Sequence, residues 1–222
     1  MVEFLLSKGA GINAGNGRHT PLRGAAAGND ANLVEFLIAK GANVNAGVET
    51  GDTPLYCAAR SWWRRDDRIE ALLIAKGAKV DTRTADGKTP LWEAIEYTRL
   101  PLARMLIEAG ASVDIPDTSF GKPLFAAAKW GDAALAELLI AKGADINAVN
   151  EHGETPLHEA VMSRSRAVAE VLIARGADVN ARSREGRTPL YFADNANPPA
   201  PDLADLLRNA GGQEGRVLRK RR

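Results

Sequence analysis

The phrase Thr-Pro-Leu occurs five times in this chain, at Thr20-Pro21-Leu22, Thr53-Pro54-Leu55, Thr89-Pro90-Leu91, Thr155-Pro156-Leu157 and Thr188-Pro189-Leu190. A sixth copy, Lys122-Pro123-Leu124, has lysine in place of threonine. Successive prolines are 33, 36, 33, 33 and 33 residues apart. A second phrase, close to Leu-Ile-x-x-Gly-Ala-x-Val-Asn, falls between them at Leu37 to Asn45, Leu73 to Asp81, Leu106 to Asp114, Leu139 to Asn147 and Leu172 to Asn180. A period of this length makes each unit one supersecondary element that cannot bury its own apolar side. Stability must then come from stacking neighbour on neighbour.

The chemistry of residues 153 to 182 defines one unit. Thr155 can cap a helix whose first turn holds Pro156, where the missing proline N–H costs nothing. This first helix is short and ends near Ser163-Arg164-Ser165. A second helix carries Val168, Val171, Leu172 and Ile173 at the i, i+3, i+4 spacing of one buried face, and Gly176 supplies a left-handed stop. Asp178 to Glu185, followed by Gly186, is polar and glycine-terminated, as a projecting turn should be. Leu138, Leu139 and Ile140 of one unit are expected to meet Leu172 and Ile173 of the next, each fully buried side chain contributing roughly 1.5–3 kcal/mol. Small residues on the first helices, among them Ala25, Ala26, Ala58, Ala59 and Ala126 to Ala128, would let neighbouring helices approach closely.

Gly153-x-Thr155-Pro156-Leu157-His158-x-Ala160 followed by Leu172-Ile173-x-x-Gly176-Ala177-Asp178-Val179-Asn180 resembles the ankyrin repeat. The resemblance runs from Met1 to about Gly212. It implies an all-α solenoid of stacked helix-turn-helix units with projecting β-hairpin or turn fingers, a concave binding face, and binding without catalysis. On this reading, 1–16 is a partial repeat holding only a second helix. Full repeats follow at 17–49, 50–85, 86–118, 119–151 and 152–184, with a capping repeat at 185–212 and a basic tail at 213–222. The resemblance also implies that His158 makes a structural hydrogen bond between units.

Departures from the pattern are where individual character should lie. The 36-residue interval holds three extra residues in Ser61-Trp62-Trp63-Arg64-Arg65-Asp66-Asp67-Arg68, between the two helices of its unit. Trp62 and Trp63 there can fold back as a lid over helix ends or stand out as aromatic anchors for a partner. Lys122 replaces the capping threonine, at a cost of about 1 kcal/mol, so the finger before it should be the softest. The Gly15 to Arg18 finger is expected to be a tighter turn. Arg208, standing where earlier units have isoleucine, joins Asp202, Asp205 and Asn209 in making the last helix polar outside, as a terminal cap requires. Met1 opens directly in a second-helix phrase. The expectation is a fragment of a longer array, or an apolar edge covered by another molecule.

Enzyme signatures do not emerge from the sequence: it contains no His-Glu-x-x-His, Gly-x-Ser-x-Gly, Walker loop or glycine-rich dinucleotide turn. His19, His152 and His158 sit in different local settings, and no Cys or His cluster has zinc spacing. No cofactor and no metal are expected. Cys57, the single cysteine, reads as a buried, inert thiol. The apolar stretch Ala133 to Ala141 is broken by Glu137 far short of the roughly 18 residues a bilayer span needs, and no secretory signal opens the chain, so the expected compartment is the cytoplasm. The formal charge of +1 hides an asymmetry: five cations against Glu214 in residues 213–222 leave the rest at −3. Nucleic acid is therefore a disfavoured partner for the body.

What remains is surface. The residue after Thr-Pro-Leu or its variant is Arg23, Tyr56, Trp92, Phe125, His158 and Tyr191 in turn, a ladder best explained by packing between units. One turn further come Arg60, Tyr97, Lys129, Trp130 and Met162, at places that the resemblance puts on the concave face. Tyr97, Trp130 and Met162, with Lys129 and Arg60 beside them and Trp62 and Trp63 as a second anchor, are the candidate site for another protein. Glu49, Asp52, Lys88, Glu151, Glu154, Arg184 and Arg187 would form its rim. The expected function is a non-catalytic scaffold. The alternatives are a module of a larger enzyme or secreted effector, or an acidic or nucleic-acid partner held by the basic tail.

Overall fold

A computed structural model describes residues 8–15, 19–47, 50–61, 66–114 and 122–215. The chain divides into two compact units, residues 1–112 and 113–222. The first holds α1 (Pro21–Gly28), α2 (Ala31–Ala39), α3 (Pro54–Ala59), α4 (Arg68–Ala75), α5 (Pro90–Glu96) and α6 (Leu100–Glu108). The second holds α7 (Pro123–Trp130), α8 (Ala133–Ala141), α9 (Pro156–Met162), α10 (Arg166–Ala174), α11 (Pro189–Asp194) and α12 (Pro201–Asn209). Short odd-numbered helices begin at the Pro-Leu phrases. Even-numbered helices, of eight or nine residues, end before the Gly-Ala phrases, with Gly211-Gly212 in that place after α12.

Within the first unit each pair packs internally (α1 on α2, α3 on α4, α5 on α6), and like helices stack, α1 on α3, α3 on α5, α2 on α4. The second unit repeats this, with α7, α9 and α11 in one layer and α8, α10 and α12 in the other. Ala25, Ala26, Ala58, Ala59 and Ala126 to Ala128 are all buried, as close helix approach demands. Leu139 and Leu172 are fully buried between α8 and α10, whereas Leu138, Ile140 and Ile173 are only half-buried. The apolar face of these helices is therefore narrower than the run of aliphatic residues predicts.

Local chemistry sets the helix ends. The side chains of Thr20, Thr53, Thr89 and Thr188 accept hydrogen bonds from the backbone N–H groups of Arg23, Tyr56, Trp92 and Tyr191 at 3.1–3.3 Å. Lys122 makes no such bond, so α7 lacks this cap, as expected. Gly176 takes φ +90°, left-handed backbone that glycine adopts without strain. The corresponding turns after α1, α5, α7 and α9 use Asn29, Thr98, Gly131 and Arg164 at φ 53–73°. Thr98 and Arg164 do so against the steric preference of residues with a Cβ.

No strand forms among the described residues, so the fingers described in full are turns and not strand-bearing hairpins. Each of three is closed by one backbone bond, Thr84 to Lys88, Asn150 to Glu154 and Ser183 to Arg187, at 2.9–3.0 Å. Residues 16–18 of the Gly15 to Arg18 finger, residues 115–121 before Lys122, and Trp62 and Trp63 lie outside the described residues.

The recurring asparagine has a role that the sequence reading did not reach. The Asn45 side chain donates to the Gly77 carbonyl at 3.0 Å and accepts from Lys79 N–H at 2.8 Å. Asn180 does the same with Gly211 and Gln213. Each such side chain bridges to the turn that follows the second helix of the next repeat. On α12, Leu203, Ala204 and Leu207 are buried, while Asp202, Asp205, Arg208 and Asn209 face solvent. This is the polar outer side expected of a terminal helix, and Arg208 pairs there with Asp194 at 2.6 Å.

Candidate functional site

The predicted surface residues fall at the ends of the short helices. In the first unit, Arg60 follows α3 and is exposed, while Tyr97 follows α5 and is half-buried. In the second, Lys129 and Trp130 end α7, exposed and half-buried respectively, and Met162 ends α9. Met162 is 40% exposed, one of two large apolar side chains so open among the described residues; the other is Val149 at 64%. Because α7 packs on α9, Lys129, Trp130 and Met162 belong to neighbouring helix ends of one layer.

The second unit also contains a cleft of about 380 Å³ beside Met162. One wall is the end of α9 with the turn at Arg164; the other is Tyr191 and Phe192 on α11 with Asn195 after it. Arg187 enters from the finger before α11, its guanidinium 5.4 Å from the Tyr191 ring centroid and 5.9 Å from that of Phe192. Cation–π attraction to the two rings, which stand edge to face at 88° to each other, holds it beside them. Glu185 pairs with Arg187 at 2.6 Å, and the Arg164 guanidinium donates to the Pro198 carbonyl. The cleft thus combines apolar groups (Met162, Tyr191, Phe192) with two arginines (Arg164, Arg187).

Sequence reasoning reached Met162, Tyr191 and Arg187 separately, as groove, ladder and rim. It missed Phe192, although a signal was available: the same position in the preceding units is Gly24, Cys57, Glu93, Ala126 and Glu159. A single phenylalanine among small and acidic residues marks a local change of surface. The ladder itself is mixed: Tyr56, Phe125 and His158 are buried, and Arg23, Trp92 and Tyr191 half-buried.

His158 holds two helix pairs together. Its Nδ1 accepts from the Thr155 N–H at 3.0 Å, which places the proton on Nε2, 3.1 Å from the Arg187 carbonyl. This is the expected structural bond between neighbouring repeats. Burial depresses its pKa, so the ring stays neutral. Cys57 is half-buried and not fully enclosed, a correction to the sequence reading. The Arg23 guanidinium donates to its Sγ at 3.2 Å, yet burial still pushes the thiol pKa up, away from the thiolate that reactivity requires.

Two buried polar clusters in the first unit escaped the sequence altogether. The Tyr56 hydroxyl donates to Glu93 Oε1 at 2.5 Å, and burial with this carboxylate raises the phenol pKa. Arg99, 6% exposed, donates to Asp67 at 2.5 Å, to Glu70 at 2.7 Å and to the carbonyls of Ala58 and Ala59 at 3.0 and 3.1 Å. Among the described residues there is no group of three or more His, Cys, Asp or Glu side chains arranged to hold a metal ion. Nor is any described helix long and apolar enough to cross a membrane.

These features agree with what the chain resembles elsewhere. A family model described as ankyrin repeats (3 copies) matches residues 1–84 and 124–213, and one described as ankyrin repeats (many copies) matches residues 91–140. No curated protein matches the chain significantly. The crystal structure of an ankyrin repeat domain from Acinetobacter baumannii AYE, 29% identical, superposes with a TM-score of 0.76 over 87% of this chain and 98% of that one. The chain belongs to the ankyrin-repeat family, whose repeats generally serve as non-catalytic protein-interaction modules.

Proposed function

We propose that this chain is a scaffold that recognises another protein through the ends of its short helices and its fingers. The contacts would be Arg60 and Tyr97 in the first unit and Lys129, Trp130 and Met162 in the second, with Trp62 and Trp63, outside the described residues, as a further anchor. The observation that carries the reading is Met162, 40% exposed and beside the ring-floored cleft of α11. An unbranched apolar side chain open beside rings offers a partner apolar surface to bury. A flexible thioether is well suited to fill gaps against a partner.

Truncation of a residue at the centre of a protein interface typically costs at least ~1–2 kcal/mol, a loss of about 5- to 30-fold in affinity. The test is to identify a partner by affinity capture from the native organism's lysate. Its affinity is then measured for Met162→Ala, Trp130→Ala and Tyr97→Ala, each first shown to keep the parent circular dichroism spectrum and Tm. Unchanged affinity in all three folded variants would remove the proposed surface.

A further inference from the structure

We infer that the cleft between α9 and α11 receives an anionic, apolar-flanked segment of the partner, a carboxylate side chain next to a leucine- or phenylalanine-like one. This rests on the protein-binding reading above and specifies its chemistry. Met162, Tyr191 and Phe192 supply the apolar surface, Arg164 and Arg187 the positive charge, and Asn195 an amide. No carboxylate lines the cleft. The acids on the two flanking helices are engaged elsewhere: Glu159 of α9 accepts from the Ser163 hydroxyl at 2.9 Å, and Asp194 of α11 pairs with Arg208 at 2.6 Å. Glu185 does meet Arg187, but its side chain is 64% exposed, and a pair that open to water is readily exchanged.

Arg187 lies within cation–π reach of both Tyr191 and Phe192. A guanidinium held beside two rings has already lost part of its rotamer freedom, so less is lost when it forks onto a carboxylate. Arg164 sits at φ +57°, a backbone geometry that directs this residue outward from the end of α9 in place of the usual glycine or asparagine. At about 380 Å³ the cleft lies at the lower end of the ~300–1,000 Å³ that ligand pockets span, which suits a few side chains of a segment. A basic segment would face two like charges. A nucleic acid would have to approach past Glu151, Glu154 and Glu185 on the flanking fingers.

The test is selection of random dodecapeptides displayed on phage against the full chain, followed by fluorescence anisotropy with the enriched peptides. Enriched sequences should pair Asp or Glu with a large apolar residue. Their Kd should weaken about tenfold on Arg187→Gln, on Arg164→Asn, which keeps a residue tolerant of left-handed backbone, and on exchange of the peptide's own acid for its amide. Enrichment of basic or uncharged sequences, affinities within twofold in both arginine variants, displacement by oligo(dT), or no enrichment over bare support would each overturn the inference. Dependence on Met162 or Trp130 without dependence on the arginines would sink this inference alone. Indifference to all four would also remove the protein-binding reading of this face. If Arg187→Gln lowers the Tm markedly, Arg164→Asn decides.

Discussion

Replacing Arg99 by methionine should be strongly destabilising, because it removes a charged partner of a carboxylate that has no access to water. Glu70 is 0% exposed, and Arg99 reaches it at 2.7 Å while also holding Asp67 at 2.5 Å and two backbone carbonyls of α3. Methionine fills similar space but donates nothing. Breaking a buried pair in this way costs about 3–5 kcal/mol, since the remaining charge stays desolvated. For a chain of this size that corresponds to a Tm loss of about 6–20 °C if the array unfolds together.

Urea denaturation followed by far-UV circular dichroism measures the difference, and hydrogen exchange shows whether the first unit opens before the second, as repeat arrays permit. The double variant Arg99→Met with Glu70→Leu should recover part of the loss, because it removes the buried charge, while Asp67 and the Ala58 and Ala59 carbonyls still lose their donor. A loss below ~1 kcal/mol for Arg99→Met, or a double variant no better than the single, would refute the assignment of these residues as a coupled buried ion network.

Three further outcomes are expected. The pKa of His158 is depressed by burial below the ordinary 6.5, so the unfolded chain takes up a proton that the folded one refuses; stability is full above about pH 6.5 and is lost as pH falls below it. Thermal melts at pH 7.5 and 5.0 should therefore differ less for His158→Asn than for the parent, and an equal difference would count against a buried neutral ring. Thr98→Gly should raise stability by about 1 kcal/mol by relieving a β-branched residue at φ +53°, measured by urea titration, and no gain would mean that turn is unstrained. Lys122→Thr should add about 0.5–2 kcal/mol by supplying α7 with the cap its counterparts have, less a small loss from the exposed Lys122–Asp114 pair at 3.2 Å. A fall in Tm would show that this lysine does more than occupy a vacant cap.

Much of the architecture was legible because its causes are local. A threonine, a proline on the next residue and a glycine past the second helix act within a few positions, so Thr155, Pro156 and Gly176 announce their helix ends without any knowledge of neighbours. The missing cap at Lys122, the alanine layer and the polar face of α12 followed from the same register. Burial was less legible. Ile140 and Ile173 read as core yet are half-buried, because an aliphatic residue on a helix flank looks the same in sequence whether or not the next helix covers it. Cys57 shows the same limit from the other side, half-open where its unit reads as filled.

The repeat period by itself determined that helices would pair, cap, stop and stack, since each of those events is settled by residues less than one unit apart. Only the tertiary structure decided which side chains meet across units. Arg99 lies 29 residues from Glu70 and 41 from Ala58; Tyr56 lies 37 from Glu93; and Arg187 and Phe192 face Met162 across a cleft that neither helix forms alone. Such contacts depend on the angle and spacing at which one helix pair settles on the next. That geometry is set by summed side-chain packing and carries no mark in the local sequence.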